Sequence, residues 1–155
     1  MIDLYTWHTP NGRKVSIMLE EIGMDYNVHS INIAKNEQFH PHFLEVSPNN
    51  RIPAIVDKDN NNYSLFESGA ILMYLAEKSG KLINKSNSDE YFRTIEWLMW
   101  QMGGVGPMFG QVHHFVKYNK GKSAYAEERY SKEARRLYGV MDKRLGQHQY
   151  ISGNE

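Results

Sequence analysis

The first third of the chain has a pattern of apolar and polar positions that predicts a strand, a helix and a second strand. Residues 2–7 form a short segment that is rich in β-forming side chains. From Lys14 to Ile22 apolar residues recur at helical spacing on one face, and Gly23 follows as a C-terminal cap. Residues 26–33 alternate with period two, as strands do. The pattern therefore predicts two parallel strands joined by a right-handed crossover helix.

The next fifty residues predict two more strands and a helix. Residues 37–46 indicate a short, irregular helix interrupted by proline, and residues 47–53 form a loop with two prolines. Residues 54–57 and 63–66 read as a hairpin around a polar turn. A helix then begins near residue 67 and ends at Gly80. We therefore expect residues 1–80 to form a βαβ–ββα domain.

The remaining residues have a helical pattern. Residues 81–90 are polar, lack periodicity and are predicted to be a linker, and residues 91–155 form an all-α domain. A long helix capped by Ser88 or Asp89 should be kinked or broken by the glycines and proline of residues 103–107, before helix resumes to about residue 118. A second long helix over residues 124–145 has an expected apolar face of Tyr130, Ala134, Leu137, Tyr138, Met141 and Leu145.

Composition removes several classes of function. The 18 basic and 18 acidic residues balance, so bulk charge favours neither nucleic acid nor an anionic membrane as a partner. There is no cysteine, which excludes disulfides, thiolate metal sites and a Cys-x-x-Cys motif. No segment approaches the roughly 18 apolar residues of a membrane helix, so a cytoplasmic protein is expected. His113 and His114 point about 100° apart on a helix and have no evident third ligand, so no metal is expected.

The first candidate for chemistry is Arg51-Ile52-Pro53-Ala54, at the entry to a strand. A proline that enters a strand from a loop is a candidate cis peptide. It would leave the backbone N–H and C=O of Ile52 able to pair with an extended peptide ligand. The alternative is an ordinary trans proline at a strand start.

The second candidate is Phe66-Glu67-Ser68-Gly69-Ala70, where a strand ends and a helix begins. Unpaired N–H groups at the helix N-terminus and the Ser68 hydroxyl suit a carboxylate, and Glu67 can pair with an ammonium. An α-amino acid group would satisfy both. The alternative is a helix N-cap by Ser68 with no ligand.

The third candidate is the first strand-to-helix turn, Thr9-Pro10-Asn11. Hydrogen-bond donors at a helix N-terminus favour a thiolate over a thiol, and ligands of α/β sheets bind at such strand ends. The alternative is a turn in which Asn11 only caps the helix.

Taken together, these turns resemble the thioredoxin-like domain of glutathione transferases. The likeness is narrower for the nu class, bacterial proteins described as disulfide-bond oxidoreductases and related to a yeast nitrogen regulator. It lies in four runs, Thr9-Pro10-Asn11-Gly12, Ser47-Pro48-Asn49-Asn50-Arg51-Ile52-Pro53-Ala54-Ile55-Val56-Asp57, Leu65-Phe66-Glu67-Ser68-Gly69-Ala70-Ile71-Leu72 and Gly104-Val105-Gly106-Pro107-Met108. The implied fold class is α/β thioredoxin-like, followed by an all-α C-terminal domain.

The resemblance also implies roles for individual residues. Glu67 and Ser68 would hold the γ-glutamyl end of glutathione, and Ile52, before the cis Pro53, would pair with its cysteinyl backbone. The other implied ligand contacts are Gln38 and Arg51 toward the glycyl carboxylate, Thr9 and Asn11 near the sulfur, and Arg129 in the second long helix. The implied ligands are glutathione or glutathione disulfide, and the implied assembly is a homodimer.

Two hypotheses for function follow. Since the chain has no cysteine and its first turn has no acid, base or good nucleophile, a glutathione-dependent disulfide reductase would use bound glutathione as the thiol. The alternative is a non-catalytic glutathione-binding or regulatory module, or an inactive fragment. The helical domain of the family continues past the point where this sequence stops, so that domain is expected to be incomplete and C-terminally truncated here.

Overall fold

The computed structural model describes residues Met1–Asn154. The chain divides into two compact units, Met1–Ile83 and a second unit from Asn84 onward. None of the helices within residues 1–154 is both long and apolar enough to cross a bilayer.

A four-stranded mixed sheet forms the centre of the first unit. Its strands are β1 (Ile2–Thr6), β2 (Tyr26–Ser30), β3 (Ala54–Asp57) and β4 (Tyr63–Phe66), in the order β2-β1-β3-β4. β1 pairs with β2 in parallel and with β3 antiparallel, and β3 pairs with β4 antiparallel. The helix α1 (Pro10–Ile22) makes the crossover between the parallel strands. The predicted βαβ–ββα order is confirmed.

Two helices supply the hydrophobic core of the first unit. α1 and α3 (Ser68–Ser79) pack on each other and against the sheet. The fully buried side chains of this core come from both helices and from β1 and β3: Ile2, Leu4, Val15, Leu19, Ile55, Ile71 and Leu75. A smaller cluster of Ile31, Phe43 and Ala54 includes the short α2 (Pro41–Leu44).

Some predicted boundaries are wrong for local reasons. The second strand stops at Ser30, not residue 33, because the Asn32 side chain accepts from the backbone of Ala34 and starts a short 3₁₀ turn at Ile33–Lys35. A second 3₁₀ turn covers Glu37–Phe39. α1 begins at Pro10, four residues before the predicted start, because proline is well suited to a first helical position.

The second unit is helical and differs from prediction at two places. α4 (Ser88–Trp100) is capped by Asn87 rather than by Ser88 or Asp89, so residues 88–90 of the predicted linker are helical. The glycine-rich segment does not break the helix. Gln101–Val105 forms a wider π turn with helical backbone angles at both ends, followed by α5 (Gly106–Val112) and a second π turn at His113–Tyr118.

The last helix, α6 (Ala124–Leu145), has the predicted bounds. Of its expected apolar face, Ala134 and Leu137 are buried, whereas Tyr138 and Leu145 are exposed. α6 packs mainly against α5 and the neighbouring π turns, and its Arg144 guanidinium lies over the ring of Trp97 in α4, 5.3 Å from the ring centroid. The buried surface of α6 is therefore a narrow stripe.

Candidate functional site

The three turns proposed from the sequence emerge at one edge of the sheet. Tyr5 of β1 lies opposite Ala54 of β3, and Ala54 lies opposite Phe66 of β4. Because β3 runs antiparallel to both neighbours, the loop before β3 leaves the sheet where β1 and β4 end. The Thr9 turn, the Ile52-Pro53 loop and the Glu67-Ser68 turn therefore share this edge.

Thr9 caps the first helix at this edge. Its hydroxyl oxygen accepts from the backbone N–H of Gly12 at 3.2 Å, so the cap is Thr9 and the hypothesis that Asn11 is the cap is wrong. Asn11 is exposed at the second helical position. A Cβ on Gly12 would lie 2.3 Å from Thr6 Oγ1 and 2.7 Å from the carbonyl oxygen of Trp7. This close approach fixes the helix N-terminus against the end of β1.

The loop before β3 contains the predicted cis peptide. The Ile52-Pro53 bond is cis, so the trans alternative is wrong. The buried Ser47 hydroxyl donates to the carbonyl of Arg51 at 2.8 Å and holds the loop in place. Within residues 1–154, the backbone N–H and C=O of Ile52 have no hydrogen-bond partner. The exposed Arg51 guanidinium donates to the side chain of Asn50 at 2.9 Å.

Glu67 and Ser68 form the turn between β4 and α3. Glu67 is the N-cap residue, with φ of 72° and no side-chain capping bond, and Ser68 is the first helical residue. The hypothesis that Ser68 is an ordinary N-cap is therefore wrong. Ser68 is only 4% exposed, whereas the Glu67 side chain is exposed. The Asn49 side-chain amide donates to Glu67 Oε1 at 3.4 Å.

Lys14 is a contact that the sequence analysis missed. Its ammonium nitrogen lies 3.5 Å from Ser68 Oγ. Burial lowers the pKa of Lys14, and the negative charge of Glu67 partly offsets that effect. The sequence did contain a signal for Lys14. The first turn of α1 has no acidic residue and is followed by two basic residues, whose positive charges are unfavourable near the positive end of the helix dipole. Asn49 was also missed, because only the loop conformation brings it to Glu67.

Gln38 has a buried polar atom without a partner. The side chain, in the turn Glu37–Phe39, is 9% exposed, and its Oε1 accepts no hydrogen bond within the described chain. An unsatisfied buried acceptor costs about 1–3 kcal/mol. It therefore suits an N–H donor supplied by a ligand.

The remaining predicted site residue lies in the other unit. Arg129 is on α6 and lines a cleft of about 650 Å³ together with Met108, Tyr125, Glu128, Tyr130, Lys132, Glu133 and Arg136. The other eight predicted residues belong to the first unit. Across residues 1–154, no group of three or more His, Asp or Glu side chains is arranged to hold a metal ion.

Comparison with known proteins decides the family. Residues 1–77 match the N-terminal domain of glutathione S-transferase. The chain is 48% identical over 157 aligned residues to the disulfide-bond oxidoreductase YfcG of Escherichia coli strain K12, a match that covers 99% of the chain and 73% of that protein. The chain belongs to the glutathione transferase family. The resemblance drawn from the four sequence runs is confirmed.

A solved glutathione transferase has the same fold. The structure of a family member from Pseudomonas fluorescens Pf-5, with two glutathione molecules bound, superposes with a TM-score of 0.94 and 51% sequence identity, covering 99% of the chain and 70% of that structure. The predicted fold class, a thioredoxin-like domain followed by a helical domain, is confirmed.

Another relative is named for a different role. The transcriptional regulator URE2 of Saccharomyces cerevisiae is 39% identical over 143 residues, a match that covers 89% of this glutathione transferase chain and 40% of that protein. The chain thus spans from about two fifths to about three quarters of the relatives that it matches.

Proposed function

We propose that this chain is the glutathione-binding part of a glutathione-dependent disulfide reductase. The observation that supports this most directly is the shared sheet edge, where Thr9, the loop at Ile52 and the Glu67-Ser68 turn lie together. The relative named disulfide-bond oxidoreductase supports the reaction type. The neighbour with two bound glutathione molecules supports the ligand.

In this proposal, bound glutathione lies along the sheet edge formed by these three turns. The α-carboxylate of the γ-glutamyl group accepts hydrogen bonds from the Ser68 hydroxyl and from backbone N–H groups of α3. Its ammonium group forms an ion pair with the Glu67 carboxylate. The cysteinyl backbone pairs with the unbonded N–H and C=O of Ile52, whose position the loop with Pro53 fixes. The remaining proposed ligand contacts are Gln38 and Arg51, near the glycyl end, and Arg129.

The sulfur lies at the first turn, where the protein supplies donors and no nucleophile. The Thr9 oxygen already accepts from Gly12, so its hydroxyl hydrogen can donate. Asn11 adds an exposed amide donor. Both donors and the N-terminus of α1 stabilise a thiolate and lower the pKa of the glutathione thiol.

The reaction is two successive thiol–disulfide exchanges. The thiolate of bound glutathione attacks one sulfur of the substrate disulfide, forming a mixed disulfide and releasing one substrate thiolate, which takes up a proton. A second glutathione thiolate then attacks the glutathione sulfur, releasing the second substrate thiol and glutathione disulfide. Two glutathione molecules are oxidised and one disulfide is reduced. This chain has no cysteine that could replace either glutathione.

A paired assay tests this function. The chain, and a version extended to the length of its relatives, are passed over immobilised glutathione and then assayed for glutathione-dependent reduction of a low-molecular-weight disulfide. We expect retention and turnover. If neither version is retained, glutathione is not the ligand and the proposal fails.

The second candidate is a glutathione-binding module without turnover. It is favoured by the lack of any acid, base or nucleophile among Thr9, Pro10 and Asn11, and by the similarity to a relative named as a transcriptional regulator. Retention of both versions without turnover would favour this candidate. Turnover by the extended version alone would make the present chain an inactive fragment.

A further inference from the structure

We propose that Asn11 is the site of the chain most prone to deamidation, and that the Thr9 cap of α1 protects it. Asn11-Gly12 is the only Asn-Gly dipeptide in the sequence. A glycine after asparagine favours deamidation because it has no side chain to hinder the backbone nitrogen that attacks the asparagine amide. This protection concerns the protein alone and does not depend on the bound ligand.

Deamidation at this dipeptide proceeds in two balanced steps. The backbone nitrogen of Gly12 loses its proton and attacks Cγ of Asn11, forming a C–N bond while the side-chain nitrogen leaves as ammonia. Water then opens the resulting succinimide ring at either carbonyl and gives aspartate or isoaspartate. One water is consumed and one ammonia is released, and nothing is oxidised or reduced.

The Thr9 cap obstructs the first step at the attacking nitrogen. The N–H of the buried Gly12 donates to Thr9 Oγ1 at 3.2 Å. An N–H group held in this way loses its proton to solvent only when the hydrogen bond opens. Ring closure also requires the helical backbone of Asn11 to rotate, so that Cγ can reach the Gly12 nitrogen. Both requirements are met only when the first turn of α1 opens.

Packing and exposure leave this protection to the cap. An added Cβ on Gly12 would collide with the Thr6 side chain and with the carbonyl oxygen of Trp7, so the glycine cannot be exchanged for a residue that slows the reaction. The Asn11 side chain is exposed, so burial does not shield it from water. The hydrogen bond from Gly12 to Thr9 is therefore the feature that restrains the reaction.

The consequence for activity rests on the proposed function. There the Asn11 amide donates to the thiolate of bound glutathione. Aspartate or isoaspartate at this position would replace the donor with a negative charge, which raises the pKa of the thiol. Isoaspartate would also lengthen the main chain within the first turn of α1. Deamidation would thus inactivate the site.

The test measures deamidation of the full chain in a mildly alkaline buffer. Trypsin releases residues 1–13 as one peptide whose only amide side chain is Asn11, so a rise in its mass reports this residue alone. The variants are Thr9→Val, which keeps the side-chain shape without the accepting oxygen, and Thr9→Ser, which keeps the oxygen. The control is Asn32→Ala, which removes a side-chain cap bond to Ala34 elsewhere in the same unit. Circular dichroism establishes that each variant is folded.

We expect Asn11 to deamidate at least about tenfold more slowly in the folded wild type than in the same chain unfolded in urea, because the first turn must open. Thr9→Val should raise the rate in the folded protein about fivefold, the effect of losing a helix N-cap. Thr9→Ser and Asn32→Ala should stay within about twofold of the wild type.

An equal rate in folded Thr9→Val and wild type, or an equal acceleration by Asn32→Ala, would overturn the role of Thr9. A folded wild type that deamidates as fast as the unfolded chain would overturn the protection itself. If Thr9→Val does not fold, Thr9→Ala takes its place, and hydrogen exchange of the Gly12 N–H in the wild type supplies a second measurement. Rapid exchange there would contradict the proposal. None of these measurements involves glutathione, so they stand apart from a failure of the proposed function.

Discussion

Asn11 is the exposed amide nearest the proposed sulfur position, at the second residue of α1. Backbone N–H groups at this end of the helix point out of it without helical partners. We expect Asn11→Ala to lower disulfide reductase activity about 10- to 100-fold, because a donor to a thiolate is lost. Glutathione affinity should be nearly unchanged, since other residues hold the γ-glutamyl end. Steady-state rates and calorimetry on the same variant measure both quantities.

Thr9→Ala and Tyr5→Phe complete this comparison. Thr9→Ala removes a second donor and also the cap of α1, so a thermal melt must accompany its rate. The Tyr5 ring stacks on His29 with centroids 4.7 Å apart, and Tyr5→Phe should be neutral. If Tyr5→Phe abolishes turnover while Asn11→Ala does not, the Tyr5 hydroxyl rather than the Asn11 amide stabilises the thiolate. The mechanism proposed here would then be wrong.

Glu67 and Ser68 are the residues on which affinity should depend most. We expect Glu67→Ala and Ser68→Ala each to weaken glutathione binding about 10- to 100-fold, the range for a lost hydrogen bond to a charged group. Glu21→Ala, which removes an exposed carboxylate from α1, is the matched control. Unchanged affinity in both site variants, with the fold intact, would show that the ligand is held elsewhere.

At the scale of elements, the packing of α1 on β1 depends on Gly12. An added Cβ would collide with the side chain of Thr6 and with the backbone of Trp7. We expect Gly12→Ala to lower the free energy of unfolding by about 1–3 kcal/mol through overpacking. Gly139, in α6, has nothing within 4 Å of the same position. Gly139→Ala should therefore be neutral or stabilising, because alanine favours helix. Urea unfolding of both variants measures the contrast.

A buried ion pair ties the β3–β4 hairpin to α3. Asp57 is fully buried and accepts from Lys78 at 2.8 Å and from the Tyr74 hydroxyl at 2.6 Å. Burial by itself would raise the pKa of Asp57. The hydrogen bonds from Lys78, Tyr74 and the backbone of Asp59 outweigh burial, so the pKa is lowered.

This lowered pKa predicts acid sensitivity. The folded state holds the Asp57 carboxylate ionised more firmly than the unfolded chain does, so the pair stabilises the fold at neutral pH. That contribution should be lost as the pH falls below about 4, the unfolded pKa, toward the lower folded value. Asp57→Asn should cost about 3 kcal/mol at pH 7 and should flatten the decline in stability at acid pH.

Urea unfolding between neutral and acid pH measures this dependence. The control is Asp25→Asn, which changes an exposed aspartate of the same unit and should leave the pH profile unaltered. A profile for Asp57→Asn that is parallel to the wild type would show that Asp57 does not control acid stability.

At the scale of the whole molecule, we expect a homodimer for the protein extended to the length of its relatives. α4 and the turn after it carry Trp97, Met99, Trp100 and Met102, more apolar side chains than one buried stripe needs. Met99 is 47% exposed in this chain. Light scattering at micromolar concentration should give twice the monomer mass, and Met99→Glu should reduce it. Ile17→Glu, at an exposed apolar residue on α1, should not. A monomer mass for the extended wild type would refute this prediction.

Local sequence determined most of the elements. The polar turn between two strand-forming segments was enough for β3 and β4, and the helical period of the apolar residues was enough for α6; their predicted bounds agree with the structure. It failed where side chains close to the backbone compete with regular structure. Asn32 ended β2 early, and Asn87 began α4 before the predicted caps. The glycines near residue 103 were expected to kink or break the helix; they do not break it, because a π turn accommodates them.

The candidate site, like the secondary structure, was only partly predictable from the sequence. Sequence motifs were enough to propose Thr9, Ile52 and Glu67, because each belongs to a turn with recognisable chemistry. Only the tertiary structure shows that Lys14 lies against Ser68, 54 residues away, and that Gln38 buries an oxygen without a partner. Contacts of this kind depend on how α1 and α3 pack on the sheet. A periodic pattern specifies which face of a helix is buried, whereas the neighbour that a side chain meets is fixed only when distant segments come together.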